Sequence, residues 1–193
     1  MFPRSHSSSP FWGSTGATIL AVPTNPFDNE ISTTDTLHIM SALANRDAGS
    51  PLIQSLAHEL LIGCSTAEQF FQALWYWVKN RIEFRQHEDT IPQILGVDGI
   101  DKQLLISPST LLSLPLPEGD CAVFSTLVAS VLVAGGFAPL YKVISADSNE
   151  PERWSHVYVI VPTGHGYYSM DVSHGKYPGW EYQNRYREMT WVV

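Results

Sequence analysis

Apolar residues recur at helical spacing through the first half of the chain. In TTDTLHIMSALANRD, Leu37, Met40, Leu43 and Ala44 fall on one side, which predicts an amphipathic helix. Ser50-Pro51 supplies the N-cap and first-turn signals of a second helix, with Leu52, Leu56, Ala57 and Leu60 directed inward and Gly63 as its stop. Thr66 and Gln69 make a capping box for a third, bearing Phe70, Phe71, Leu74, Trp77 and Val78. IEFRQ reads as a short strand. Residues 87 to 118 read as a long connection, punctuated by Pro92, Gly96, Gly99, Pro108, Pro115 and Pro117, with one helical turn near Ser109 to Leu112. From Cys121 the helical period returns in Phe124, Leu127, Val128, Val131 and Leu132, and Gly135-Gly136 ends it.

Beyond those glycines the pattern changes to that of strands, in the runs LYKVISA, HVYVIV and YYSMDVS. Alternation puts His156, Tyr158 and Ile160 on one face, and Tyr167, Ser169 and Asp171 on one face of the partner. A turn centred on Thr163-Gly164 sets His156 directly opposite Asp171. Residues 1–33 are rich in Ser, Thr, Pro and Asn without sustained period, and read as an extended N-terminal arm ordered by contacts outside its own domain. Residues 34–193 form one α+β domain, with N-terminal helices followed by a central helix packed on an antiparallel sheet.

Composition narrows the function classes. At 193 residues the chain suits a single core, and six Trp, eight Tyr and eight Phe mark it as folded. Eleven Lys and Arg against nineteen Asp and Glu give a net charge of −8, the wrong sign for a nucleic-acid surface. No run approaches the ~18 apolar residues of a membrane span, and the start of the chain lacks the apolar core of a signal peptide. The expectation is a protein of the producing cell's cytoplasm, acting on peptide or protein, with no nucleic-acid or membrane partner. Cys64 and Cys121 are too few for a disulfide framework, which leaves thiol chemistry open.

Cys121 follows Gly119-Asp120 where a loop becomes a helix. Unsatisfied amides and the helix dipole favour a thiolate there, Asp120 fits the N-cap, and Gly119 lets a substrate approach the backbone. A thiol nucleophile needs a base and a group to orient that base. His156 and Asp171 supply both. Cys64 has no matching His or Asp and reads as a structural or free thiol. His58-Glu59 resembles the start of a zinc-protease helix, but position 62 is Ile where the second His belongs. His165 and His174 lack metal-ligand spacing, so neither a metal nor a cofactor is expected.

The succession of GDC opening an apolar helix that ends in GG, then a strand, then an H-x-Y strand, then a strand ending in Asp resembles the transglutaminase-like superfamily over about residues 66 to 180. That resemblance implies a papain-like core with Cys121 as nucleophile, His156 as base and Asp171 as orienter. It also implies a cysteine peptidase, amidase or transglutaminase-type activity. SPSTLL ahead of EGDC, together with HVYV, DVS and PGWE, is similar to small phage and prophage proteins. This adds an alternative: a non-catalytic structural or assembly protein of a phage particle, virion-associated, with partner proteins held by residues 1–33. Ala122 and Val123 stand where relatives often carry acidic residues, which leaves the substrate open. Gln86, in EFRQHED, is the candidate second oxyanion donor beside the Cys121 amide.

Overall fold

The computed structural model describes residues 17–23, 29–86 and 102–193. The chain runs β1 (Ile19–Pro23), α1 (Asn29–Ala48), α2 (Pro51–Leu61), α3 (Ala67–Arg81), β2 (Glu83–Phe84) and β3 (Lys102–Ile106). It continues through α4 (Pro108–Ser113), β4 (Glu118–Gly119), α5 (Cys121–Ala134), β5 (Leu140–Ser145), β6 (His156–Thr163), β7 (Gly166–Met170) and β8 (Arg187–Val192). After β1 come three helices, and α5 later lies against a four-stranded antiparallel sheet ordered β7-β6-β5-β8. This is the α+β plan that the two periodicities predict. Among the described residues no helix is long and apolar enough to cross a membrane.

The helix signals act locally as expected. Ser50 Oγ accepts from the Ile53 amide at 3.3 Å, and Thr66 Oγ1 from the Gln69 amide at 3.2 Å. Gln69 reaches back with its Oε1 to the Ser65 amide at 2.6 Å, one residue before the expected partner. In α2 the inward position belongs to Ile53, while Leu52 is exposed. Ile53 lies three residues before Leu56 and four before Ala57, so it shares their face more centrally than Leu52 does.

The core forms around α5. Phe124, Leu127, Val128, Val131 and Leu132 are buried as predicted, but so is every other residue from Ala122 to Leu132. Helices α1, α2 and α3 cover one side of α5, and β5 and β6 cover another. Two of its buried hydroxyls are satisfied within the protein, while Ser130 Oγ is buried without a partner. Thr126 Oγ1 donates to the Ala122 carbonyl at 2.7 Å and Ser125 Oγ to the Val157 carbonyl at 3.1 Å. Val157, Val159 and Val161 of β6 join this core, whereas Tyr158 and Ile160 pack with Ile144 on the opposite face of the sheet.

The structure departs from the sequence reading at several points. Ile19–Pro23 pairs antiparallel with β3 and buries Val22, and α1 begins at Asn29, so secondary structure starts within the residues read as an arm. Residues 1–16 and 24–28, which complete that stretch, lie outside the described residues, as do 87–101 of the long connection. The strand Lys102–Ile106 and the terminal strand Arg187–Val192 are additions; the latter pairs with β5 through Leu140↔Val192 to Ser145↔Arg187. Finally, Gly119 does not clear space for a substrate. A Cβ there would lie 2.5 Å from Val123 Cγ1, so the glycine is needed by the first turn of α5 itself.

Gly119→Ala should therefore destabilise the fold by ~1–3 kcal/mol through overpacking against a stiff β-branched side chain. The double variant Gly119→Ala/Val123→Ala should lose less than the sum of the two single losses in urea unfolding. Additive losses would show that the two side chains do not compete for one space.

Candidate active site

The start of α5 is fixed from two directions. Asp120 is its N-cap: Oδ1 accepts from the amides of Ala122 at 3.0 Å and Val123 at 3.2 Å, while Oδ2 accepts from Gln103 Nε2 at 3.0 Å. Just upstream, β2 and β4 pair in parallel, with Glu83 beside Glu118 and Phe84 beside Gly119. The Arg85 amide donates to the Gly119 carbonyl at 2.9 Å. The pairing ends there, with Gln86 the next residue after Arg85 and Cys121 opening the helix two residues after Gly119. Cys121 is half-buried and not in a disulfide, and its own amide is not among those that Asp120 takes.

The hairpin β6–β7 supplies the imidazole and the carboxylate. His156 Nε2 donates to Asp171 Oδ2 at 2.8 Å, and both side chains are almost fully removed from solvent. The register differs from the predicted one by two residues. Thr163 pairs with Gly166, leaving Gly164-His165 as the loop, and Val159 pairs with Met170. Because the shift is even, His156 and Asp171 stay on one face and meet along a diagonal across the strands. A slip of one residue would have separated them.

Burial alone would depress the His156 pKa, but hydrogen bonding and attraction from Asp171 and Cys121 win and push it up to about 10. Burial raises Asp171 in turn, yet His156 and the donors around it hold its carboxyl below the usual carboxylate value. Nδ1 of His156 is buried without a partner in hydrogen-bond geometry, although the Cys121 sulfur lies close enough to help raise the pKa of the ring. The Cys121 sulfur thus acts on the His156 ring without a hydrogen bond of good geometry to Nδ1.

Asp171 is held by residues that the strand pattern did not single out. Its Oδ1 accepts from Ser173 Oγ at 3.0 Å and from the His174 amide at 2.9 Å. Trp75 Nε1 donates to its carbonyl at 2.9 Å, and Lys79, one turn along α3, donates to the carbonyls of Val172 and Ser173. Gly175 is enforced, since a Cβ there would stand 2.0 Å from the Asp171 carbonyl oxygen. His156 itself is flanked by Tyr158, His174 and Tyr182, with ring centroids 5.6, 4.4 and 6.0 Å away. Trp75 and Lys79 share one face of α3 at a spacing of four, a signal available in the sequence; Ser173 and His174 follow Asp171 in a loop and carry none.

His156, Asp171 and His174 also offer metal-ligating atoms within 4.8 Å of one another. Both Asp171 oxygens already accept hydrogen bonds and His156 Nε2 already donates to one of them, which suits proton handling better than ligation. His165 sits in the hairpin loop, apart from this group. Cys64 is half-buried in the connection between α2 and α3, its Sγ 3.1 Å from the Leu60 carbonyl of α2.

The chain matches no protein-family model and no curated protein. It is similar in structure to a candidate cysteine protease from Cytophaga hutchinsonii, at a TM-score of 0.47 and 17% identity over 81% of this chain and 48% of that one. It is also similar to a TGase, at a TM-score of 0.39 and 16% identity over 79% of this chain and 34% of that one. The chain thus spans less than half the length of either neighbour, and both likenesses are distant.

The elevated His156 pKa has a consequence for stability. Against an ordinary value of 6.5, a folded value of about 10 means that protonated His156 stabilises the fold fully below pH 6.5 and that this contribution is lost by about pH 10. The urea midpoint of the native chain should fall as pH rises through that window, and that of His156→Gln should fall distinctly less. Equal falls in the two proteins would show that His156 is not held charged by the fold.

Proposed function

We propose that this chain is a thiol-dependent acyl-transfer enzyme of transglutaminase-like type, working through Cys121, His156 and Asp171 on a peptide or protein substrate. The observation that carries the proposal is a single buried imidazole bonded to a buried carboxylate through one nitrogen while the thiol of a capped helix start acts on the same ring. In the resting site His156 already holds the proton given up by the Cys121 thiol, so the pair starts as imidazolium and thiolate. The sulfur then attacks the carboxamide carbon, and the carbonyl electron pair moves onto oxygen. As the tetrahedral intermediate collapses, the C–N bond breaks and the leaving nitrogen takes the proton from His156, giving a thioester and a free amine.

Water or a second amine attacks the thioester and gives its proton to His156, and collapse expels the sulfur as thiolate, which restores the starting pair. Asp171 keeps Nε2 occupied so that Nδ1 faces the thiol, and it stabilises the imidazolium. The Cys121 amide and the Gln86 side chain are the proposed oxyanion donors, a role that the parallel pairing of β2 with β4 supports. Hydrolysis and transamidation share the acyl-enzyme and differ only in the acceptor.

Mass-resolved alkylation of the intact protein near neutral pH should modify Cys121 well before Cys64. His156→Ala should slow modification of Cys121 by ~10²-fold or more. Cys121→Ala should abolish acyl transfer on peptide and glutaminyl substrates while keeping a cooperative thermal transition, since little volume is lost at a helix edge. Slow alkylation of Cys121, unchanged in His156→Ala, would rule out the enzyme and leave the scaffold reading of a phage assembly protein.

A further inference from the structure

We propose that His174 is a positioning residue, an aromatic cover that keeps water off the His156–Asp171 hydrogen bond and fixes the plane of the His156 ring. The proposal extends the reading of His156 as a general base and depends on it for its catalytic meaning. Three observations carry it. The His174 ring stands edge-on to His156, with centroids 4.4 Å apart at 72°, and edge-on to Phe84 of β2 on another side, at 5.1 Å and 75°. Phe84 is itself braced against Phe124, one turn into α5. The cover is therefore tied through aromatic contacts to the helix that carries the nucleophile.

The second observation is how closely the turn is clasped. The His174 amide donates to Asp171 Oδ1, and its Nδ1 lies 3.2 Å from the Ser173 Oγ that donates to the same oxygen. Gly175 follows with no room for a Cβ against the Asp171 carbonyl. A side chain at 174 is thus delivered over the pair by the backbone that holds the carboxylate. The third is asymmetry of exposure: His174 is exposed, while His156 and Asp171 beneath it are buried. A buried ion pair wet by exchanging solvent would lose much of its strength and orientation.

The charge state of His174 suits this role. Although the residue is exposed overall, the part of its ring packed on His156 and Phe84 is desolvated; that desolvation first, then the positive charges of His156 and Lys79, hold its pKa below the ordinary imidazole value against the opposing pull of Asp171. At neutral pH the ring over His156 is uncharged, so it covers the imidazolium without repelling it. Phe84, the other ring packed on it, brings no charge.

The test uses the full chain and separates the ring of His174 from its backbone amide, which every substitution retains. A proton held between His156 Nε2 and Asp171 gives a far-downfield proton resonance, assignable by its disappearance in His156→Gln. The native protein and His174→Phe should keep that resonance at neutral pH. His174→Ala should lose it to exchange with water while unfolding cooperatively like the native chain. Cys121 alkylation should fall by ~10–100-fold in His174→Ala and recover in His174→Phe, as expected when a reacting group loses its orientation.

Retention of the resonance in His174→Ala with native exchange would overturn the proposal. If His174→Ala does not fold, His174→Gln takes its place: loss in Gln with retention in Phe supports the cover, and equal behaviour of the two overturns it. If alkylation proves indifferent to His156, the enzyme reading fails on that result alone, while the resonance still decides what His174 does.

Discussion

Enclosure of α5 is the constraint on which the rest of the structure depends. A helix whose residues from Ala122 to Leu132 are all buried has no face left to slide or rotate on, so its first residue is fixed relative to the sheet. Asp120 then determines where the helix begins by taking two of its opening amides, and Gln103 of β3 holds the other oxygen of that cap. The tight fit of Val123 over Gly119 adds a steric stop at the same point. Fold stability and placement of the thiol thus follow from one packing arrangement.

The sheet answers the same constraint from the other side. β6 gives Val157, Val159 and Val161 to the α5 core, so His156, Tyr158 and Ile160 turn to the opposite face. That face would be solvated in a simple two-layer fold. Here it carries its own apolar cluster of Ile144, Tyr158 and Ile160, with Tyr182 from the segment after β7 packed against it. Lys142 of β5 reaches Glu181 at 2.6 Å and Glu188 at 3.1 Å, and Tyr158 Oη donates to Glu181 at 3.3 Å, fastening that segment down. Covering the second face is what buries His156 and lets a carboxylate act on it through a low dielectric.

The parts of this arrangement legible in the sequence were those encoded by nearby residues. Capping at Ser50, Thr66 and Asp120, the extent of α5 and the two hairpin strands all rest on interactions within a few positions. That His156 and Asp171 share one face was readable for the same reason, since each sits at a strand end that its own segment defines. What pairs over long separations was hidden. Ile19–Pro23 is too short a run to show a period and becomes a strand only because Lys102–Ile106 lies beside it. Arg187–Val192 alternates half-buried and exposed along a sheet edge, a pattern with little apolar contrast to detect.

The hairpin register shows how a wrong local reading can still preserve the site. Turn residues Thr163, Gly164 and His165 permit more than one two-residue loop, and nothing in their chemistry chooses between them. The choice is made elsewhere. Trp75 and Lys79 of α3 hold the carbonyls of Asp171, Val172 and Ser173, and a register altered by one residue would turn Asp171 away from His156 and bury an unpaired carboxylate. Even shifts alone keep both groups on one face, and the diagonal contact at 2.8 Å is reached because the imidazole spans the extra distance. Tertiary contacts from a helix nearly a hundred residues upstream thus decide a geometry that two adjacent strands leave open.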